Sequence, residues 1–205
     1  MVRKTKIETE HTRQEIIAAA RRVFAARGVS RTTLALIAKE AGVTRGAIYW
    51  HFKNKPDLFF AMMEQVSLPL IDRIDGNLPA DSPGDPLLGI QASMIEILRL
   101  LKEDEVARTT FEIVVLKCEY VDEFASLDSR VIKTGCAFIE KATRAYADAR
   151  KRGLLREGID PAQCALESYT FMKGLVQLWL SDVDSTLIRG KALALIKAHI
   201  AMRYK

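Results

Sequence analysis

Residues 44–55 read TRGAIYWHFKNK. Twelve residues hold three aromatic rings, a histidine, an arginine and two lysines, with little apolar surface to bury. These side chains suit a polyanion. The Arg45 guanidinium can bridge guanine O6 and N7 in a bidentate pair if it projects from the first turn of a helix lying in a major groove. Tyr49 and His51 can donate to phosphate oxygens. Thr33 and Thr44 each offer a hydroxyl where a helix begins, and Lys55 brings an ammonium to another helix start, where backbone N–H groups also favour phosphate. Gly46 lets backbone approach a partner closely, at about 1 kcal/mol of helix propensity relative to alanine, which points to a packing or contact role. His51 could instead ligate a metal, but the only other histidines are His11 and His199, and no ligand partners lie near it in sequence.

The elements that would position these groups follow from apolar spacing. Apolar residues recur at three and four, and alternation of strand type is nearly absent, so the chain is all-α with about nine helices. A first helix is expected over 12–27, ending at Gly28. A short one follows, capped by Thr32 or Thr33 and burying Leu34, Ile37 and Ala38. Thr44 caps another, to about Phe52. Two short helices joined by a glycine-containing turn form a helix-turn-helix. On the second, Ala47, Ile48 and Phe52 face inward, Tyr49 faces a partner and Trp50 is partly buried. Further helices are expected from about Lys55 with a disturbance at Pro69, over 86–101, 104–119, 126–152 and 161–180, and from Ser185 to about Arg203. The stretch 75–86 is the clearest loop.

Charge divides unevenly. Residues 1–55 carry 12 Lys and Arg against 4 Asp and Glu, whereas 56–205 carry 19 against 22. A basic first quarter on a mildly acidic remainder implies that the first quarter meets nucleic acid. The arm VRKTK (2–6) could reach a minor groove. Domains are therefore expected at 1–55 for DNA reading, with the boundary inside the helix from about 55, and at 56–205 for ligand binding and dimerisation. No long apolar run or signal peptide is present, so the expected location is the cytoplasm. Cys118, Cys136 and Cys164 have no metal spacing and are expected as small buried residues. The chain lacks GxSxG, P-loop, HExxH and GxGxxG motifs, and nothing in it supports an enzyme, a metal or a cofactor.

The last 150 residues face two demands. One helix-turn-helix reads only a few base pairs, so a palindrome needs a homodimer. Leu175, Val176, Leu178, Trp179 and Leu180 form a nearly all-round apolar end of one late helix, and Leu187, Leu193, Leu195, Ile196 and Ile200 form another. Leu175, Leu178, Trp179, Leu193, Ile196 and Ile200 are the candidate interface, with the core of a single chain as the alternative. The second demand is an inducer pocket for a small hydrophobic or amphipathic molecule. Polar residues set in apolar faces mark it: Ser93 and Glu96 beside Ile97, Glu112 beside Phe111 and Leu116, and the stripe Tyr169, Met172, Lys173 and Gln177, with Met63, Ser67 and Phe138 completing a wall. Singly, each also fits core packing or a solvated face. Methionine suits varied ligands, and a buried Glu112 would favour cations. A ligand preferring a conformation with wrongly spaced recognition helices would lower DNA affinity, and DNA would lower ligand affinity equally.

The segment RTTLALIAKEAGVTRGAIYWHFKNKPDLF (31–59) resembles the DNA-binding motif of the TetR family of transcriptional regulators. GVTRGAIYWHFKNK and the opening MVRKTK are similar to its AcrR-like branch, repressors of multidrug efflux pump genes. PGDPL (83–87), EIVVLKCEY (112–120) and GLVQLWL (174–180) match more loosely. The resemblance implies DNA contacts by Thr33, Thr44, Arg45, Gly46, Tyr49, His51 and Lys55, double-stranded operator DNA as partner, and no membrane. It leaves open control of a catabolic or lipid pathway. A ligand-independent DNA-binding protein is the other alternative.

Overall fold

The computed structural model describes the backbone of residues 6–78 and 83–205, and the side chains of these except 126–134. Among the described residues it is all-helical: α1 Lys6–Arg27, α2 Leu34–Glu40, α3 Arg45–His51, α4 Lys55–Asn77, α5 Pro86–Glu103, α6 Glu105–Leu116, α7 Ala125–Lys151, α8 Pro161–Ser181 and α9 Ala192–Ala201, with a 3-10 turn at Asp122–Phe124 before α7. The chain forms two compact units, Met1–Leu68 with Thr109–Asp128, and Pro69–Arg108 with Ser129–Lys205. Residues 2–5 of the expected arm (2–6) lie outside the described residues, as does the 79–82 part of the expected loop; Lys6, the arm's last residue, opens α1.

In the first unit, Ile16, Ile17, Ala20 and Phe24 of α1 pack with Ile37, Ile48, Leu58, Phe59, Met62 and Ile113, all fully buried. Each large apolar side chain removed from water contributes about 1.5–3 kcal/mol. Phe59 is the hub, its ring edge-on to Phe24 at 5.9 Å and to Phe124 at 5.4 Å. Gly28 ends α1 at φ +78°, where a side chain would be strained. Short α2 and α3 cannot persist alone; capping and the buried Ile37 and Ile48 hold them. Their connection turns at Gly42, φ +66°, and the Val43 amide returns to the Ala38 carbonyl at 3.0 Å. At the start of α4, Asn54 accepts from the Asp57 amide at 2.8 Å while Asp57 accepts from the Lys53 amide at 3.0 Å, a reciprocal cap.

α4 continues through Pro69. Pro69 is exposed, whereas Val66, Leu70 and Ile74 are buried, so inward-facing residues on both sides keep the helical register despite the missing N–H.

In the second unit, Asp85 and Asp160 cap α5 and α8, each followed by proline at the first helical position. Leu87, Ile90, Met94, Leu101, Tyr146, Cys164, Ile196 and Ile200 form the interior. The segment after α7 pairs with the C-terminal residues through an isolated bridge, Leu155 with Tyr204.

The last helix begins at Ala192 rather than Ser185. The Asp182 carboxylate accepts backbone N–H bonds from Thr186, Leu187, Ile188 and Arg189 at 2.8–3.1 Å. Those four amides fix a non-helical loop, in which Ser185 has φ +56°, and hold the Asp182 carboxyl down at about 2.

Candidate nucleic-acid interface

α3 carries the site. Thr44 caps it, its hydroxyl accepting from the Ala47 amide at 3.2 Å. Thr33 caps α2 in the same way through the Leu36 amide at 3.3 Å. Each hydroxyl accepts in its cap, so its own hydrogen remains to be donated to phosphate. Ile48 buries one side of α3, which fixes the rotation of the rest. Arg45, Gly46, Tyr49 and Trp50 are then exposed, Tyr49 at 62% and Trp50 at 70%. Arg45 has no ion-pair or hydrogen-bond partner for its guanidinium among the described residues. A Cβ added at Gly46 would meet only the Thr44 hydroxyl, at 3.9 Å. No packing inside the unit requires glycine there.

Between α2 and α3 lies a concavity of about 620 Å³, lined among others by Thr33, Arg45, Tyr49, Lys53, Lys55 and Glu123. Four of the seven expected DNA-contact residues, Thr33, Arg45, Tyr49 and Lys55, line it. Thr44 and Gly46 are exposed at the start of α3, and His51 is half-buried, its ring edge-on to Trp50 at 4.6 Å. Lys55 is placed differently from a free phosphate ligand. Its side chain is only 11% exposed. The ammonium donates to the Val29 and Thr32 carbonyls at 3.2 and 3.1 Å and pairs with Glu123 at 2.8 Å. It thereby ties the turn ahead of α2 to the start of α4. Trp50, expected partly buried, is exposed instead, because Ile48 takes the inward position of this short helix and Phe52, in extended backbone just after it, is buried in its place. Lys53 and Glu123 are further residues of the face. Lys53 was visible in the basic run; Glu123 had no local signal, since the fold alone brings it there.

The expected pocket residues fall in both units. In the first, Met63, Ser67, Phe111 and Glu112 are half-buried and Leu116 is exposed. In the second, Ser93 and Met172 are buried, Ile97 is half-buried, and Lys173 and Gln177 are exposed. Phe138 and Tyr169 do come together, ring centroids 6.3 Å apart. The Ser93 hydroxyl donates to the Gly89 carbonyl at 3.0 Å. Glu96 is bound by Arg99 at 2.8 Å and Arg73 at 3.1 Å, and these guanidinium groups hold its carboxyl below the usual range. Its charge is already matched.

Of the expected dimer residues, Leu175, Trp179, Ile196 and Ile200 are buried within the chain, whereas Leu178 and Leu193 are 46% and 47% exposed. Leu166, Leu195 and Met202 are exposed as well. The residues Leu166, Thr170, Gly174 and Leu178, spaced four apart on α8, are all exposed. Cys136 is exposed, contrary to expectation; Cys118 and Cys164 are not. Burial pushes the Cys118 thiol up to about 11, away from thiolate reactivity. No described residues form a metal cluster, and no described helix is long and apolar enough to cross a membrane.

A capped pair of short helices with an unpaired arginine and exposed aromatic rings on the second defines a helix-turn-helix DNA-binding protein. Residues 16–62 match the model for bacterial regulatory proteins of the tetR family, and residues 85–204 match the C-terminal region of MAATS-type transcriptional repressors. The chain belongs to the TetR family of transcriptional regulators. It is 36% identical to the HTH-type transcriptional regulator TtgR of Pseudomonas putida over 93% of this chain and 90% of that protein. It is similar in structure to NalD, the secondary repressor of the MexAB-OprM multidrug efflux pump in Pseudomonas aeruginosa, with TM-score 0.84, 31% identity and coverage of 97% and 98% of the two chains. SmeT in complex with triclosan matches with TM-score 0.83 and 31% identity over 95% and 92%.

Proposed function

We propose that this protein is a cytoplasmic, dimeric repressor of a multidrug efflux operon, released from its palindromic operator by a hydrophobic or amphipathic drug-like ligand. Residues 1–55 read DNA, and 56–205 bind ligand and dimerise. The observation that carries the reading is the unpaired, exposed Arg45 in the first turn of α3. A buried or ion-paired arginine there could not reach a base edge. Relatives that repress efflux pumps, and one relative bound to triclosan, support the choice of target and ligand class. Exposed leucines on both helices, Leu166 and Leu178 on α8 and Leu193 and Leu195 on α9, support these helices as the dimer face, since large apolar side chains left in water gain by association.

Release follows from linkage: a ligand that favours a dimer with wrongly spaced recognition helices lowers DNA affinity by the factor by which DNA lowers its own. The test is isothermal titration of triclosan into free protein and into protein saturated with operator duplex. Weaker binding to the DNA complex supports the proposal. Equal affinity for the two overturns ligand release.

A further inference from the structure

Glu123 is the one carboxylate lining the concavity between α2 and α3 among the described residues. It comes from the turn between α6 and α7, far in sequence from the helices that read DNA. Its side chain is 50% exposed, and it sits 2.8 Å from the Lys55 ammonium. That ammonium is otherwise placed to serve DNA: at the start of α4, on the same concave face as Arg45, Tyr49 and Lys53. Two of its hydrogens go to the Val29 and Thr32 carbonyls and the third to Glu123. The Phe124 ring, 5.3 Å from the ammonium, closes its other side.

A carboxylate on a phosphate-binding face is electrostatically wrong for affinity. The pair also stabilises the fold, because Lys55 is only 11% exposed, but a purely stabilising role sets no salt dependence of DNA binding. We propose that Glu123 masks Lys55 from the DNA backbone and so limits the sequence-independent part of DNA affinity. With the carboxylate present, the pair is neutral and the protein binds one phosphate fewer. Without it, Lys55 keeps both carbonyl partners and has one hydrogen left to donate to a phosphate oxygen. Phosphate contacts carry no sequence information. The mask therefore lowers affinity for all DNA and leaves discrimination to Arg45 and its neighbours on α3. This rests on the operator-binding reading of α3.

The test compares wild type, Glu123→Gln and Glu123→Asp on an operator duplex and on a scrambled duplex across a salt series. Each neutralised phosphate steepens the dependence of log K on log salt by about 0.9. Glu123→Gln is expected to steepen both slopes by about that amount. Its affinity gain should then be about 3.5-fold larger at 50 mM than at 200 mM salt. Glu123→Asp keeps the charge and should keep the wild-type slope. An unchanged or shallower slope for Glu123→Gln overturns the proposal, as does an equal shift in both variants, because charge would then not be the cause. Wild type that fails to prefer operator over scrambled DNA instead defeats the operator reading itself, a result distinguishable from the first.

Discussion

Arg21 on α1 donates from Nε to the Thr110 hydroxyl on α6 at 2.9 Å, across 89 residues of sequence, and from Nη2 to Gln65 on α4 at 2.7 Å. One guanidinium thus joins three helices of the first unit. Thr110 is 3% exposed, so a Thr110→Val substitution leaves the shape and withdraws the acceptor. The expected loss is about 1–2 kcal/mol of stability, since a hydrogen bond to a charged group is stronger than a neutral one. Thermal melting checks it, with a drop of about 2–4 °C per kcal/mol for a chain of this size.

Gly46→Ala separates folding from binding. The added methyl has room and improves helix propensity by about 1 kcal/mol. The variant should melt at or above the wild-type temperature and yet bind operator more weakly, because the methyl occupies the space left for DNA. Melting and anisotropy on one preparation decide it. Unchanged operator affinity would show that Gly46 does not face DNA.

Gly135→Ala tests the surroundings of Tyr169. A Cβ at Gly135 would lie 2.6 Å from the Tyr169 Cζ and overlap its hydroxyl, so the ring must leave its place beside Phe138. Overpacking of this kind costs about 1–3 kcal/mol. Tyr169→Ala removes the obstacle. The double variant should therefore be more stable than the sum of the two single effects, measured as a coupling energy in denaturant titrations.

A pH dependence arises at His199. Its Nε2 lies 2.9 Å from the Ser168 hydroxyl, which meets the Tyr146 hydroxyl at 2.7 Å, and its ring stacks on Phe171 at 4.3 Å. Burial first, then the positive charge of Arg203, lowers its pKa from 6.5 to about 4, against the opposing pull of Glu167. The unfolded chain takes up the proton first. Its contribution to stability is therefore complete above about pH 6.5 and declines as pH falls towards 4. Denaturant midpoints of wild type should fall over that window, and His199→Gln should flatten the fall.

Local chemistry made much of this architecture readable in advance. Gly28, Thr33, Thr44, Pro86 and Pro161 announce helix ends through backbone preferences that act within a few residues. The α3 face followed from one buried position, Ile48. What escaped depends on distant partners. Asp182 overrides the helical start expected at Ser185 by gathering four amides. Buried neighbours carry α4 through Pro69. Lys55 looked like a phosphate ligand because Glu123 and the Val29 and Thr32 carbonyls that occupy it are assembled only by folding. At the end of α8 and along α9 apolar residues fall on several faces, so periodicity could not separate Leu175 and Trp179, which face inward, from Leu178, which does not.

The most direct measurement is an equilibrium titration of wild type and Arg45→Ala against labelled duplex from upstream of the gene and its neighbours, with excess nonspecific competitor. Saturable binding by wild type is expected, weakened in Arg45→Ala by at least about 1 kcal/mol through loss of a base contact. Wild type that binds these duplexes no better than competitor, or an Arg45→Ala variant that binds as tightly as wild type, would contradict the assignment of α3 as the DNA-reading helix.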